Sequence, residues 1–255
     1  RDEAIEVDDA ATAYVPAGAF TVGSDDPTST YDNERPAHTL ELPAFRIDRH
    51  PVTCRRWLEF MEDGGYERPD LWSPAGRAWL EEVSPWAPQG WWRERNGRWW
   101  VTRFGHPCPI DPREPVQHIC AHEADAFAAW SGGRLPTEFE WERAAAPADG
   151  DRESPHPWGN APASPDRANL FGDRWGPDPV GSHPASRSEV GLGQLLGDVY
   201  EWTSSNFHGY PGFRAFPYRE YSEVFFGDDY RVLRGSCWTS GPWMSRRTYR
   251  NWDLP

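Results

Sequence analysis

The chain has 255 residues and a formal net charge of -14, a balance that repels phosphate backbones and anionic lipid and makes nucleic acid a poor partner. Its 16 Trp, 12 Phe and 9 Tyr supply large surfaces for a core, while 26 Pro and 23 Gly dispersed along the sequence argue against long helices and wide regular sheets. An irregular α+β fold is expected, and the scattered Cys54, Cys108, Cys120 and Cys237, with no signal-like start and no membrane-length apolar run, point to reduced thiols in a soluble, cytoplasmic protein.

In chain order, the acidic stretch 1–13 is expected to be an interdomain linker, with the folded domain over 14–255. A strand is expected at Phe20-Thr21-Val22, another at His38 to Leu42, and Phe45-Arg46-Ile47 is expected to continue the latter beyond Pro43. Thr53 caps a helix carrying Trp57, Leu58, Phe60 and Met61 that Gly64-Gly65 stops. The Trp- and Pro-rich stretch from Tyr66 to Pro115 reads as an elaborate surface with a hairpin turn at Asn96-Gly97. A second helix is expected from Ala121 to Trp130 and a third from Thr137, where Thr137 and Glu140 make a capping box ahead of an apolar face of Trp141, Ala144 and Ala145. From Pro147 to Pro217 turns dominate, and Tyr230 to Leu233 returns as a strand.

Several ordered motifs then stand out: Pro115-Val116-Gln117-His118, Arg134-Leu135-Pro136-Thr137-Glu138, Pro157-Trp158-Gly159, Ala168-Asn169-Leu170, Gly197-Asp198-Val199-Tyr200-Glu201-Trp202 and Leu233-Arg234-Gly235-Ser236. Together they resemble the signature of the formylglycine-generating-enzyme (sulfatase-modifying-factor) family, which implies a C-type-lectin-like fold with little regular secondary structure. The copper-dependent oxidases of that family hold the metal with two thiolates after the Gly-Ser of the late strand. Here Thr239 and Met244 fall near those positions and Cys237 stands alone, which disfavours formylglycine generation.

Further stretches, among them Tyr31-Asp32-Asn33-Glu34-Arg35-Pro36, Tyr218-Arg219-Glu220-Tyr221-Ser222 and Tyr249-Arg250-Asn251-Trp252-Asp253, resemble the non-haem iron sulfoxide synthases of ergothioneine biosynthesis. The resemblance implies an oxygen-dependent oxidoreductase that joins the sulfur of γ-glutamylcysteine or cysteine to the imidazole of hercynine, N-α-trimethylhistidine. It places the Fe(II) on histidines of an N-terminal DinB-like bundle outside this chain, so that the chain is a fragment, truncated also at its C-terminus, and inactive alone. Tyr218 matches the catalytic tyrosine that delivers a proton, Tyr221 reaches the same pocket, and Asn251, Trp252 and Asp253 bind the substrate, the aromatic face suiting a trimethylammonium group. Relatives also bind Ca2+, which maps onto Asn169, Leu170, Asp173 and Trp175, and onto a second, weaker set of Gln194, Gly197, Val199 and Glu201. His118 and His122, an i,i+4 pair followed by Glu123, mimic an iron motif, but the spacing of the Glu is wrong. A selenoneine-type synthase, a copper oxidase and a non-catalytic lectin-like binding module are the alternatives.

Overall fold

The computed structural model describes residues 7–147, 151, 153–172 and 174–255. They form two compact units, Arg1–Pro51 with Pro136–Pro255, and Val52–Leu135. The larger unit opens with β1 (Thr12–Val15), whose Ala13 and Val15 point inward, and β2 (Gly18–Val22). Strand formation thus begins within the expected linker, two residues before Tyr14. β3 (His38–Leu42) pairs antiparallel with β2, whereas β4 (Phe45–Asp48) pairs with β1. Pro43, which has no N–H to donate, separates them, so the two runs belong to different sheets rather than to one continued strand.

The smaller unit starts with α1 (Cys54–Glu62), capped by Thr53 Oγ1, which accepts the Arg56 N–H at 3.3 Å. It ends where Gly65 lies against the Phe60 ring too closely for any side chain. α2 (Pro74–Val83) begins with a Ser73 cap and a Pro at its first position. A three-stranded antiparallel sheet of β5 (Trp91–Arg93), β6 (Trp99–Arg103) and β7 (His106–Pro109) follows, turning through Gly97 at φ +90°. α3 (Ala121–Trp130) completes the unit. Trp57, Phe60, Trp72, Trp91 and Phe127 pack together at its centre, so the Trp-rich stretch expected to be surface supplies a core of its own.

Back in the larger unit, α4 (Glu138–Ala144) starts at the expected capping box: Thr137 Oγ1 accepts the Glu140 N–H at 3.1 Å and Glu140 Oε2 accepts the Thr137 N–H at 2.8 Å. Its Trp141 and Ala144 are fully buried against Leu192, Leu195 and Leu196. β8 (Tyr200–Asn206), β9 (Arg231–Gly235) and β10 (Asn251–Asp253) form an antiparallel sheet in that order. Beneath it lie buried ion pairs: Arg234 to Glu142 at 2.5 Å, Arg247 to Glu142 at 3.2 Å, Arg250 to Glu138 at 2.7 Å, and Arg246 to Glu34. Short strands, short helices and single 3-10 turns joined by long irregular segments meet the expectation of an irregular α+β fold. Among the described residues no helix is long and apolar enough to cross a membrane.

Candidate functional site

Tyr218 precedes a single 3-10 turn, Arg219–Tyr221, and the residue is 56% exposed. An exposed aromatic on an irregular segment needs anchoring if it is to hold a position, and Asp32 supplies the anchor from both sides. One carboxylate oxygen accepts the Phe216 N–H at 3.0 Å and the other accepts the hydroxyl of buried Ser222 at 2.6 Å. Ser222 Oγ also accepts from the Asn33 side-chain amide at 3.0 Å. The segment that presents Tyr218 is therefore pinned two residues before it and four after.

Tyr221 packs edge-on to Tyr218 with ring centroids 6.2 Å apart and leans on Tyr31 at 5.3 Å. Tyr31 in turn meets Tyr249 at 5.9 Å, and the Arg246 guanidinium lies over both rings. Burial, with Tyr31 close by, raises the pKa of the Tyr221 phenol, so it is a protonated donor throughout the neutral range. Sequence reasoning missed Asp32, Ser222, Tyr31 and Tyr249 as site residues, although all four lie in the three stretches that carry the resemblance.

On β10 the period-two alternation puts Asn251 and Asp253 on one face and Trp252 on the other. The Trp252 indole stacks on Phe207 with centroids 4.2 Å apart and planes at 9°, and Phe225 approaches at 5.4 Å. Phe225 belongs to the 3-10 turn Glu223–Phe225, next to the one holding Tyr221, so it joins the Trp252 patch to the Tyr218 segment. Asp253 is exposed and accepts the Leu254 N–H at 2.8 Å. The three β10 residues thus do not face one group together: Asn251 and Asp253 form a polar pair, and one face of Trp252 is already occupied by Phe207.

The calcium sets fare differently. Asp173 lies outside the described residues, so the first set is seen only in part: Asn169 donates its amide hydrogens to the Gly176 carbonyl and to Asp198, each at 2.9 Å, Leu170 is buried, and Trp175 is 72% exposed. In the second set both side chains are engaged within the protein. Gln194 accepts the Gly181 N–H at 2.5 Å and donates to Asp198 at 2.9 Å, so its amide is engaged within the protein. The Glu201 carboxylate receives the Trp141 indole N–H at 3.1 Å, and burial raises its pKa to about 7. Gly197 and Val199, whose part in that set would be their carbonyls, flank buried Asp198.

The His118, His122 and Glu123 set does not assemble as an iron centre. Glu123 accepts the Tyr66 hydroxyl at 2.5 Å and the Cys120 N–H at 2.8 Å, which makes it a helix cap rather than a ligand beside His118 and His122. Asp178, His183 and Asp198 do converge, a cluster the sequence did not announce. His183 Nδ1, however, lies 2.9 Å from the Pro165 carbonyl and can only donate there, while Nε2 faces the Asp178 carboxylate at 3.1 Å. Burial disfavours the charged His183 ring, but hydrogen bonding to Asp178 and the charges of Asp198 and Asp178 outweigh it and raise its pKa. Asp198 already accepts from Asn169, Gln194 and the Asp178 N–H. Cys237, the candidate copper thiol, is flanked by Thr239 and Ser240 hydroxyls rather than by a second sulfur.

The family model of the sulfatase-modifying factor enzyme 1-like domain matches residues 3–255, and the chain belongs to that family. Its relatives include the hercynine oxygenases of Mycolicibacterium smegmatis, 49% identical over 252 residues, and of Mycobacterium tuberculosis, 48% identical over 240. These matches cover 96% and 92% of this chain but 58% and 56% of the relatives, so the chain spans somewhat over half their length. In fold it is similar to PvdO from Pseudomonas aeruginosa, with a TM-score of 0.63 at 24% identity over 96% of this chain and 88% of that one.

Proposed function

We propose that this chain forms the substrate-side wall of a sulfoxide synthase that joins hercynine to a thiol, γ-glutamylcysteine or cysteine, at the expense of O2. The similarity to hercynine oxygenases supports hercynine as the substrate. The observation that carries the reading is Tyr218, an exposed phenol fixed from both sides by Asp32. Iron would be held by residues outside this chain, in the DinB-like domain that the resemblance implies, and would supply oxygen activation. What this chain contributes is positional: Tyr218 holds a proton at its phenol oxygen for delivery to the reacting oxygen, and Tyr221 backs its ring. Asn251 and Asp253 offer an amide and a carboxylate to the substrate's polar end, while Trp252, on the other face of β10, forms with Phe207 and Phe225 the aromatic patch that adjoins the Tyr218 segment. The four unpaired cysteines suit a reducing compartment such as the cytoplasm.

Tyr218→Phe in the complete enzyme tests this, because it keeps the ring and removes only the donor. Coupled product is expected to fall by roughly a hundredfold, with oxidation of the thiol alone taking its share of oxygen and hercynine affinity nearly unchanged. Product and oxidised thiol are compared at matched oxygen consumption. An unaltered ratio and rate would remove Tyr218 from the chemistry.

A further inference from the structure

Five tyrosines of the larger unit stand in line. From the exposed Tyr218, ring centroids step 6.2 Å to Tyr221, 5.3 Å to Tyr31, 5.9 Å to Tyr249 and 6.5 Å to Tyr200. The Tyr200 hydroxyl is 3.2 Å from Ser240 Oγ, which lies 3.5 Å from the half-buried Cys237 thiol. Every ring in the series is a phenol, the residue type besides Trp and Cys that loses an electron most readily. The aromatic neighbours of Trp252, by contrast, are Phe207 and Phe225, which do not oxidise under the same conditions. Packing alone needs no hydroxyls, so a row of five Tyr that ends beside a thiol calls for a role in which the hydroxyl matters.

We propose that Tyr218, Tyr221, Tyr31, Tyr249 and Tyr200 form a stepping-stone path that carries single oxidising equivalents away from the Tyr218 end to the Cys237 thiol. At the outset a one-electron oxidant of the activated-oxygen class takes an electron from Tyr218, whose phenolic proton leaves to solvent, and a neutral tyrosyl remains. Each tyrosine then reduces the radical before it, which regains a proton. At the end the S–H bond of Cys237 breaks, its electron refills Tyr200, its proton is released, and a thiyl radical stands on sulfur. The net change is one electron gained by the oxidant and one electron and one proton lost by the thiol.

The surroundings decide the form in which the charge moves. The Arg246 guanidinium sits 5.1 Å from the Tyr31 ring centroid and 5.6 Å from that of Tyr249, so a radical cation on either ring is repelled. Transit through the middle must therefore lose the proton together with the electron. Burial also raises the pKa of the Tyr221, Tyr249 and Tyr200 phenols, so each starts protonated. Such a path would drain an oxidant that failed to meet substrate into a thiol that cellular reductants can repair. Only the source of the oxidant rests on the reading of Tyr218 given above; the path itself does not.

The test supplies the oxidant by light. A ruthenium polypyridyl sensitiser is tethered to p-azidophenylalanine in place of the exposed Glu220, between Tyr218 and Tyr221. Flash excitation with a ruthenium(III) hexaammine quencher then oxidises the path without iron or substrate. Tyrosyl absorbance is followed in time, and a nitrone spin trap located by mass spectrometry reports thiyl formation at Cys237. In the wild-type background the adduct is expected at Cys237. Tyr31→Phe and, separately, Tyr249→Phe should reduce it about tenfold, as for a step raised by roughly 1.4 kcal/mol, and should prolong the early tyrosyl signal. Tyr14→Phe, an exposed tyrosine off the path, should change nothing. No adduct at Cys237, or an equal adduct in both interrupted variants, overturns the path. Either result leaves the proton-donor role of Tyr218 standing, since that is measured by product ratio in the complete enzyme.

Discussion

The two units solve the problem of an interior differently. The smaller one fills its centre with rings: Trp57 stacks on Phe127 at 5.1 Å, and Phe60 meets Trp57, Tyr66, Phe127 and Trp130. The larger one buries charge, with Glu142 between Arg234 and Arg247, Glu138 on Arg250 and Glu34 on Arg246. Rings are forgiving of position because dispersion and area burial are nondirectional, whereas a buried carboxylate must be met by donors at fixed points. The larger unit is also where Tyr218 must be held in place on an irregular segment. Charge there acts as a set of locating pins, Asp32 being the one nearest the site.

The sharpest way to break the comparison is to remove one pin and one ring. Glu142→Ala takes a carboxylate from two buried guanidiniums and from the Gly23 N–H, which now donates to Glu142 at 2.9 Å. It is expected to cost about 3–5 kcal/mol in urea unfolding. Phe60→Ala, at a fully buried ring, is expected to cost a similar 3–5 kcal/mol, roughly, through lost burial and the cavity left behind. Amide hydrogen exchange separates them: faster exchange should concentrate in β8 and β9 for the first and in α1 and α3 for the second. Exchange that rises equally in both units for either change would show that the two interiors are not distinct.

A smaller effect concerns a half-buried carboxylate of the larger unit whose donor is a neutral ring. Glu201 has the Trp141 indole as its donor, and burial lifts its pKa from 4.5 to about 7. Between those values the folded chain keeps a proton that the unfolded chain has released. The stabilisation is therefore complete below about pH 4.5, falls as pH rises through that window, and is gone above about 7, at most about 3 kcal/mol in all. Glu201→Gln retains an acceptor for the indole and does not titrate. The difference in unfolding free energy between wild type and variant should slope across the window, and added Ca2+ should leave that slope in place. A flat difference would mean that Glu201 is ionised in the fold.

What the sequence made legible was local. The caps at Thr53 and Thr137, the helix from Ala121 to Trp130 and the turn at Gly97 depend on neighbours a few residues away, and all are found. β8 was not foreseen because its Thr203-Ser204-Ser205-Asn206 run is polar; it is a strand because β9 pairs with it. The stretch from Tyr66 to Pro115 looked like surface since its Trp residues follow no helical or strand period, yet they meet in three dimensions. At the site, the family resemblance singles out Tyr218, but not what steadies it: Asp32 lies 184 residues from Phe216 and 190 from Ser222. Likewise, Gln194 and Glu201 sit at positions that suggest ligands, and only their partners, Asp198 and Trp141, show them engaged elsewhere.

The smallest expected effect sharpens the comparison by making the same chemical change in each unit. Thr53→Ala and Thr137→Ala both delete a helix-capping oxygen, a loss of about 1 kcal/mol in general. In the smaller unit the Arg56 N–H that Thr53 caps belongs to a half-buried residue, and at 3.3 Å its hydrogen bond is the longer of the two, so less is lost with it. In the larger unit the cap is reciprocal: Glu140, 4% exposed, returns a hydrogen bond to Thr137, and removing the hydroxyl leaves the Glu140 N–H without its acceptor in a dry place. Thr137→Ala should therefore cost more than Thr53→Ala, by about 1 kcal/mol, in paired urea titrations at one pH. Equal losses would mean that directional contacts in the larger unit are no more exacting than those in the smaller, and the distinction drawn from the ion pairs would not extend to its helix ends.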